Sequence, residues 1–550
     1  MRLTLTGLAS QYIHMPLAPF CLKKAVDEAL PRQVTTTICD LNINDAQEDL
    51  LARIMATEPD VLGVCLYVWN RQCAASLLRR VKALRPEMTV IVGGPEATFS
   101  VQETLAEMPA DYLLRGAGEE SLPALLHCLM DGGDAAEVPG CCFRRAEGLH
   151  IAPPAPAPAP RADLYDEGWH ASLAGRMAYV ETSRGCPFSC AFCLSGSECS
   201  RAVRFMPQEE ALALLIRLGK SGCDTVKIID RTFNCHRERT HFLLQGLMDA
   251  RARGEIGEVC YHMEVAADLF DDDALALLAQ APAGLFQMEA GLQSFHAPTL
   301  EACDRRTDMA RLTDRLTRLI APGNIHLHID LIAGLPQEDF STFGRSFNQA
   351  FALQPHQLQL GFLKCIHGSR LRREDWGQRF SPDPPYEVLS TPWLTYGELR
   401  RLHNAAEAVE KIHNSGRFAL AEALALRETG LSPFDLYLLL GERMARRQGR
   451  WSLDALTAMV FDALRSLSVP EDSLKDAMIL DRLAADNTGY LPPVLQHADP
   501  SAVKKAARAV REARPEVRHP RVALLSDGRT AAALWTQKHP VTQRGEVVFY

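Results

Sequence analysis

The sequence predicts an α/β protein in three parts: a doubly wound, Rossmann-like parallel sheet, a partial TIM-like (β/α)6 barrel, and an α-rich C-terminal domain. Short apolar runs alternate with amphipathic stretches over the first two-thirds of the chain. Such alternation is typical of parallel sheets. A proline-rich segment separates two series of these units, and strand patterns fade after about residue 370. We expect domains at residues 1–145, 176–370 and 371–550, and a linker at 146–175.

The bulk composition indicates an ordinary globular enzyme. The chain has 550 residues, of which 47% are hydrophobic, and a formal net charge of −9. The acidic balance makes nucleic acid an improbable partner. We find no secretion signal and no apolar stretch of membrane-spanning length, so we expect a cytoplasmic protein without a membrane partner. The sixteen cysteines are too dilute for a disulfide scaffold, which agrees with a reducing compartment.

Five apolar segments in the first region are predicted strands, at residues 2–8, 34–41, 61–68, 89–94 and 111–116. Because nearly continuous apolar strands are typical of sheets buried on both faces, we expect a parallel sheet here. Ligands of such sheets bind beyond the carboxyl ends of the strands. The residues at these ends are therefore candidate ligand contacts: Tyr12, His14, Tyr67, Trp69, Asn70, Gly93, Gly94, Pro95, Glu96, Gly116, Gly118 and Glu119.

The segment APPAPAPAP at 152–160 is predicted to be a semi-rigid linker. Proline has no backbone N–H, so alternating prolines are expected to stay out of a sheet ladder and to favour an extended polyproline conformation.

A second series of six strands is predicted at residues 177–183, 225–230, 259–266, 285–292, 325–332 and 357–365. Polar side chains recur there on alternate positions, and alternate positions share one face of a strand. The polar positions are His262, Glu264, Gln287, Glu289, Gln293, His326, His328 and Asp330. A barrel with polar groups inside carries an active site there, or else a satisfied structural network.

Three cysteines, Cys186, Cys190 and Cys193, follow the first of these strands. A structural zinc site would need further ligands at a suitable distance, and no second pair is present. A thioredoxin-like pair would leave Cys186 unexplained. A [4Fe–4S] cluster fits better, because three thiolates hold three irons and leave the fourth iron with an open position.

The spacing Cys-x-x-x-Cys-x-x-Cys, with Phe192 before the last cysteine, resembles the cluster loop of radical S-adenosylmethionine enzymes. The segments IIDRTFN, MEAGLQSF and HIDLIAGLPQED resemble later strands of the same barrel. The resemblance implies that S-adenosylmethionine binds the open iron and is split to a 5′-deoxyadenosyl radical. It also implies that the three cysteines ligate the cluster and that Phe192 packs near the adenine.

The segments GLASQYIH, LYVWN, GGPEATF and GAGEES resemble the cobalamin-binding domain of cobalamin-dependent radical S-adenosylmethionine enzymes. The D-x-H-x-x-G signature that brings a histidine to cobalt in other cobalamin domains is absent. We therefore expect Trp69, or its neighbours Tyr67 and Asn70, to cover the lower face of cobalt; alternatively, LYVWN only ends a buried strand. Near the C-terminal side, PYEVLSTPWLTYGEL and KIHNSGRF resemble a subgroup with an uncharacterised helical domain.

The resemblance implies a methyltransferase that alkylates an unactivated carbon through methylcobalamin and the 5′-deoxyadenosyl radical. Glu264 and Asp330 are then candidate catalytic residues, and Asp230, Arg231 and Gln293 candidate cofactor contacts. The implied partners are a small-molecule or peptide substrate and an electron donor of the flavodoxin or ferredoxin type. Two alternatives stay open: a rearrangement or cyclisation without methyl transfer, and a cobalamin or redox sensor without turnover.

Overall fold

A computed structural model describes residues 1–195, 202–447, 449–485, 491–496, 499–514 and 520–550. The chain forms two compact units. The first comprises Met1–Leu277, Ala302–Arg306 and Leu363–Val388, and the second comprises Leu278–Glu301, Thr307–Phe362 and Leu389–Tyr550. The units follow spatial compactness, so the domain boundaries that the sequence predicts stay predictions.

A seven-stranded sheet lies in the first unit. Its strands are β1 (Arg2–Thr6), β2 (Thr35–Ile38), β3 (Val61–Cys65), β4 (Thr89–Gly93), β5 (Tyr112–Leu114), β6 (Cys141–Arg145) and β7 (Gly148–His150). The accompanying helices are α1 (Ala18–Ala29), α2 (Gln47–Met55), α3 (Arg71–Leu84), α4 (Pro95–Phe99), α5 (Val101–Glu107) and α6 (Gly118–Asp131). The strand order is β2-β1-β3-β4-β5-β6-β7, with β1 to β5 parallel.

The five parallel strands agree with the prediction, whereas the antiparallel strands β6 and β7 were not predicted. All five residues of β3 are buried, as expected for a strand covered on both faces. Leu62 and Val90 pack in the core of one face, and Leu5 and Leu125 in that of the other. Burying each such side chain contributes about 1.5–3 kcal/mol.

The proline-rich segment contacts the sheet, contrary to the expectation. Ala155 forms a parallel bridge with Gly116, donating its N–H to the carbonyl of Arg115 at 2.8 Å and accepting from the N–H of Ala117 at 3.2 Å. The expectation that the segment stays clear of the sheet was wrong, because each alanine between prolines keeps its own N–H and carbonyl. That the segment acts as a linker stays a prediction. The segment ends before helix α7 (Glu167–Ala171).

The barrel region of the first unit supplies three parallel strands and the cysteine loop. Its strands are β8 (Ala178–Val180), β9 (Ser183–Arg184), β10 (Arg204–Phe205), β11 (Thr225–Ile228) and β12 (Cys260–Val265), and its helices are α8 (Gln208–Gly219), α9 (Arg237–Ala252) and α10 (Asp272–Leu278). β11 pairs in parallel with β8 and with β12, and β9 pairs antiparallel with β10. The carboxyl ends of β8, β11 and β12 therefore lie at one edge.

The second unit contains three parallel strands, β13 (Phe286–Gln293), β14 (His326–Ala333) and β15 (Gln357–Phe362). The helices of this stretch are α11 (Ala297–Ala302), α12 (Met309–Ile320) and α13 (Phe340–Ala352). Burial alternates strictly along β13, where Phe286 and Met288 are buried and Gln287 and Glu289 are less so. The predicted polar face is therefore present on this strand.

The remaining elements begin with α14 (Arg370–Arg373), β16 (Arg379–Phe380) and β17 (Val388–Ser390). The described residues that follow form α-helices and a small antiparallel sheet: α15 (Tyr396–Ile412), α16 (Ala419–Thr429), α17 (Pro433–Met444), α18 (Leu453–Arg465), α19 (Glu471–Ala485), α20 (Pro500–Ala513), β18 (Arg521–Leu524), β19 (Thr530–Lys538) and β20 (Gly545–Phe549). The helices agree with the predicted α-rich domain, and the sheet was not predicted. Across the described residues, each helix is too short or too polar to cross a membrane.

Candidate functional site

The three cysteines lie on a loop that follows β8 and β9 in the first unit. Gly185 turns the chain before Cys186 with a φ of +106°, which L-residues rarely adopt. Cys186 and Cys190 are buried and Cys193 is half-buried, and all three are free thiols. Phe192, between the last two, is half-buried.

Two later segments of the same unit hold this loop. The N–H of Ala191 donates to the carbonyl of Cys303 at 2.9 Å, and its carbonyl accepts from the N–H of Leu371 at 3.0 Å. Arg305 lies 3.5 Å from the sulfur of Cys190. Burial raises the pKa of Cys190, and the charge of Arg305 opposes this. The loop thus presents three cysteine sulfurs beside a cation, a donor set suited to an iron–sulfur cluster.

Polar residues at the ends of β11 and β12 differ in what they contact. Asp230 is buried and accepts from the backbone N–H and the hydroxyl of Thr182 at 2.7 and 2.6 Å. Burial raises the pKa of Asp230, and these hydrogen bonds oppose the shift. Arg231 instead lines a cavity. Glu264 is half-buried on β12, and its backbone carbonyl accepts from Phe233.

A cavity of about 460 Å³ lies at the carboxyl edge of the seven-stranded sheet, within the first unit. Its wall includes eight of the predicted contact residues: Tyr67, Gly93, Gly94, Pro95, Gly116, Gly118, Glu119 and Arg231. Gly185, Leu194 and Ser195 of the cysteine loop also line it. The cysteine loop and the carboxyl edge of the sheet therefore share one cavity.

Two glycines make this cavity possible. Gly94 has a φ of +101°, and a Cβ there would lie 2.6 Å from the carbonyl oxygen of Leu66. Gly116 has a φ of +90°, and a Cβ there would lie 2.3 Å from the carbonyl oxygen of Ala155. A side chain at either position would displace the backbone that borders the cavity.

The cavity extends inward between the sheet and the helices α1 and α6. Its wall there is apolar and consists of Leu5, Leu22, Gly63, Ile91, Leu114 and Leu122. Cys21 and Cys65 also line it, and burial raises the pKa of Cys65 to about 12. Both the broad edge and the apolar extension suit a large planar ligand that carries a side arm.

The segment LYVWN places its three candidate residues differently. Tyr67 lines the cavity, whereas Trp69 is 49% exposed and stacks on Tyr67 with ring centroids 4.4 Å apart. The buried amide of Asn70 donates to the carbonyls of Gly7 and Cys65 at 3.0 Å each and accepts from the N–H of Tyr67 at 2.8 Å. Asn70 therefore holds the loop that carries Tyr67.

Three further candidates make contacts elsewhere in the first unit. Tyr12 is 64% exposed and lies under the guanidinium of Arg176 at 4.3 Å. His14 lies 2.5 Å from the hydroxyl of Tyr179. The buried Glu96 accepts from Arg71 at 3.2 Å and from Tyr386 at 2.5 Å. Their roles as ligand contacts stay predictions.

Asp330 and Gln293 belong to the second unit. Asp330 lies 3.0 Å from His328 on β14. Asp330 and His328 form a group with Glu289 on β13, and the ligand atoms of the three side chains all lie within 4.8 Å of one another. Gln293 ends β13 with a φ of +72°. Three titratable side chains thus meet on the polar face that the sequence predicts.

The sequence analysis missed Arg184 and Glu181, which also line the cavity. Arg184 lies 2.7 Å from both Glu119 and Glu181. Burial by itself would lower the pKa of Arg184. The hydrogen bonds to the two carboxylates outweigh this effect, and the pKa of Arg184 is raised. For Glu181, burial raises the pKa, and the neighbouring Arg184 only partly offsets this. The charges were visible in the sequence, but their pairing was not.

Three family models match successive parts of the chain. Residues 5–126 match the B12 binding domain, residues 180–350 the radical SAM superfamily, and residues 374–527 a protein of unknown function, DUF4080.

Two curated relatives are similar to about half of the chain. The chain is 30% identical over 324 residues to 2-(S-pantetheinyl)-carbapenam-3-carboxylate methyltransferase from Streptantibioticus cattleyicolor, covering 54% of this chain and 45% of the relative. It is 23% identical over 326 residues to anaerobic magnesium-protoporphyrin IX monomethyl ester cyclase from Rubrivivax gelatinosus, covering 56% and 58%. The chain thus spans about half the length of these relatives.

The fold is similar to a solved structure of the radical S-adenosylmethionine methyltransferase TsrM from Kitasatospora setae with cobalamin and a [4Fe–4S] cluster bound. The TM-score is 0.56 at 17% identity, with 70% of this chain and 78% of that chain covered. The chain therefore carries, in succession, regions that match a B12 binding domain, the radical SAM superfamily and DUF4080.

Proposed function

We propose that this protein is a cobalamin-dependent radical S-adenosylmethionine methyltransferase that alkylates an unactivated carbon. The observation that carries the proposal is the shared cavity. Tyr67, Gly93 and Gly94 line it from the sheet, and Gly185 and Leu194 line it from the cysteine loop. A substrate in such a cavity would meet a radical source and a methyl donor at once, which this chemistry needs.

The bound groups supply a methyl donor and a 5′-deoxyadenosyl radical, chemistry that protein side chains lack. Cys186, Cys190 and Cys193 would hold the [4Fe–4S] cluster through their thiolates. The glycine-lined edge would accept the corrin, and the apolar extension would accept its side arm. The cavity would also exclude water from the radical.

We assign the remaining polar residues by their contacts. Arg231 borders the cavity and would contact a cofactor, whereas Asp230 is bound to Thr182 and would hold two strand ends together. Glu264 and Phe192 of the first unit are proposed contacts of S-adenosylmethionine or the substrate. The roles of Asp330 and Gln293, which belong to the second unit, stay predictions from the sequence.

Of the three candidates in LYVWN, Tyr67 would lie next to bound cobalamin, because it borders the cavity. Trp69 would support Tyr67 from behind by stacking, and Asn70 would fix its loop.

The substrate is proposed to be a small molecule or a peptide, and the electrons are proposed to come from a flavodoxin- or ferredoxin-type donor. We propose that the reaction takes place in the cytoplasm, since cysteines that ligate a cluster need a reducing compartment.

The similarity to a magnesium-protoporphyrin ester cyclase supports a second candidate, a cyclisation without methyl transfer. The similarity to a methyltransferase is stronger, at 30% identity against 23%.

Product analysis separates the two candidates. We would reconstitute the full chain anaerobically with iron, sulfide and cobalamin, add S-adenosylmethionine and a strong reductant, and quantify products by mass spectrometry. The methyltransferase predicts S-adenosylhomocysteine together with 5′-deoxyadenosine, whereas a cyclase would give 5′-deoxyadenosine alone. A control in which Cys186, Cys190 and Cys193 are all changed to alanine should form no 5′-deoxyadenosine. S-adenosylhomocysteine at the level of this control would contradict the methyltransferase.

A further inference from the structure

We propose that Arg184 is a positioning residue that fixes the cysteine loop relative to the cobalamin cavity, an inference that rests on the proposed function. The side chain borders the cavity and lies two positions before Cys186. Its role would be to hold two segments in register so that both cofactors face one substrate.

The guanidinium of Arg184 lies between two carboxylates, those of Glu119 and Glu181. One terminal nitrogen donates to Glu119 Oε1 at 2.7 Å, and the other donates to Glu181 Oε2 at 2.7 Å. The Nε–H lies 3.1 Å from both oxygens of Glu181. Arginine is suited to such planar, multiply bonded contacts in a way that lysine is not.

These bonds join segments that are distant in the sequence. Glu119 lies in the first turn of α6, directly after the loop that lines the cavity, and Glu181 follows β8. Arg184 itself pairs with Arg204 in the β9–β10 ladder. One side chain therefore connects the seven-stranded sheet, the first barrel strand and the start of the cysteine loop.

The three charged groups also separate two cavities. Arg184, Glu119 and Glu181 line the cavity of about 460 Å³ and also an adjoining cavity of about 530 Å³. The second cavity is bordered by α1 and by the proline-rich segment, including Pro158 and Pro160. The ion pairs therefore form a shared wall of the cofactor cavity.

These ion pairs contribute little to the stability of the fold, but they fix the relative positions of the segments that they join. Each of the three side chains is only about one-fifth exposed, so desolvation offsets much of the attraction between the charges. What the arrangement supplies is a fixed distance between loop and sheet. Small displacements of reacting groups are costly, since an error near 1 Å can slow a reaction by about a hundredfold.

The test compares Arg184→Gln with a matched control, Arg161→Gln. Arg161 also lies between two carboxylates, Glu28 and Asp163, but it is outside the cysteine loop. Hydrogen–deuterium exchange of the chain without cofactors is measured first. Arg184→Gln should speed exchange about tenfold in residues 183–193 and 116–122 only, and Arg161→Gln should leave both segments unchanged.

The second readout is the ratio of S-adenosylhomocysteine to 5′-deoxyadenosine in the reconstituted protein. Arg184→Gln should keep iron content, cobalamin content and 5′-deoxyadenosine while the ratio falls by up to about a hundredfold. Arg184→Lys should restore part of the ratio. Glu119→Gln should speed exchange in the same two segments as Arg184→Gln, and the double variant should add little to that exchange, because the pair acts as a unit.

The outcomes are separable. If wild-type protein forms no S-adenosylhomocysteine, the proposed methyltransferase fails, and the exchange measurement alone decides the role of Arg184. Unchanged exchange in residues 183–193 of Arg184→Gln would overturn the proposal. An equal loss of both products together with cofactor loss would also overturn it, and would assign Arg184 to structure alone. If Arg184→Gln does not fold, Arg184→Lys and Glu119→Gln give the same comparison.

Discussion

Arg184 donates a hydrogen bond of 2.7 Å to Glu119, a residue 65 positions earlier in the chain. The bond joins the start of the cysteine loop to the carboxyl edge of the seven-stranded sheet. Both residues line the cavity that the two segments share.

Gly94→Ala should destabilise the fold and weaken cobalamin binding. Gly94 has φ +101° and ψ 176°, a region that only glycine populates readily, and a Cβ would approach Leu66 O at 2.6 Å. We expect a loss of about 2–4 kcal/mol in the free energy of unfolding. The control is Gly132→Ala, at φ +72° with nothing within 4 Å, for which about 1 kcal/mol is expected. Equal losses in urea denaturation would contradict the steric account.

Tyr67→Ala should change the absorption spectrum of bound cobalamin more than Trp69→Ala does. Tyr67 borders the cavity, whereas Trp69 reaches it only by stacking on Tyr67. We expect about tenfold weaker cobalamin binding for Tyr67→Ala, since a buried aromatic contact is lost. Spectrophotometric titration measures both effects. A larger change for Trp69→Ala would favour Trp69 as the residue next to cobalt.

Asn70→Ala should reduce stability by about 2–3 kcal/mol, because buried backbone groups lose their partners. The affected groups are the carbonyls of Gly7 and Cys65 and the N–H of Tyr67. Asn44→Ala is the control, because the exposed amide of Asn44 also bonds a backbone carbonyl, that of Ser10. In urea denaturation, Asn70→Ala should lose much more free energy of unfolding than Asn44→Ala does. An Asn70→Ala variant as stable as wild type would refute this role of Asn70.

Glu338→Gln should make the second unit less sensitive to pH. Glu338 accepts from Ser294 and Ser346 at 2.7 and 2.8 Å, and burial raises its pKa to about 7 despite these bonds. Between the ordinary pKa of 4.5 and about 7 the folded state holds this proton more tightly, so stability falls as pH rises through that window. The full loss corresponds to about 3 kcal/mol.

The check is thermal unfolding of wild type and Glu338→Gln from pH 5 to pH 8. The stability of Glu338→Gln should increase relative to that of wild type as pH rises. Asp339→Asn gives the opposite case, because backbone and side-chain hydrogen bonds to Thr342 lower the pKa of Asp339. Its stabilising effect is lost only as pH falls below the ordinary pKa of 3.8, so the pH profile of Asp339→Asn should run parallel to that of wild type between pH 5 and pH 8. Parallel pH profiles of wild type and Glu338→Gln would show that Glu338 does not titrate in this window.

The regular parts of the fold could be predicted from local patterns. The strands β1 to β5 are apolar and short, and their predicted positions agree with the structure within a few residues. The strand β19 was missed because alanines such as Ala531–Ala533 favour helices locally, whereas pairing with the neighbouring strands β18 and β20 decides its conformation. In β19, pairing with the neighbouring strands outweighs the helix propensity of the alanines.

The site could be predicted only in part, for a similar reason. The spacing of Cys186, Cys190 and Cys193 carries chemical information within eight positions. The bond between Arg184 and Glu119 depends on how two distant segments meet, and no local pattern encodes that. The same holds for Asn70, whose buried amide serves the backbone.

The central claim is that one cavity of the first unit holds both cofactors. Electron paramagnetic resonance of the reconstituted full chain tests it most directly, because cobalt(II) cobalamin and the singly reduced cluster are both paramagnetic. The account predicts that the two signals broaden or split through mutual spin coupling, and that the cobalt signal is simple in a variant with Cys186, Cys190 and Cys193 changed to alanine. Two full-intensity, unperturbed signals in the wild type would contradict it.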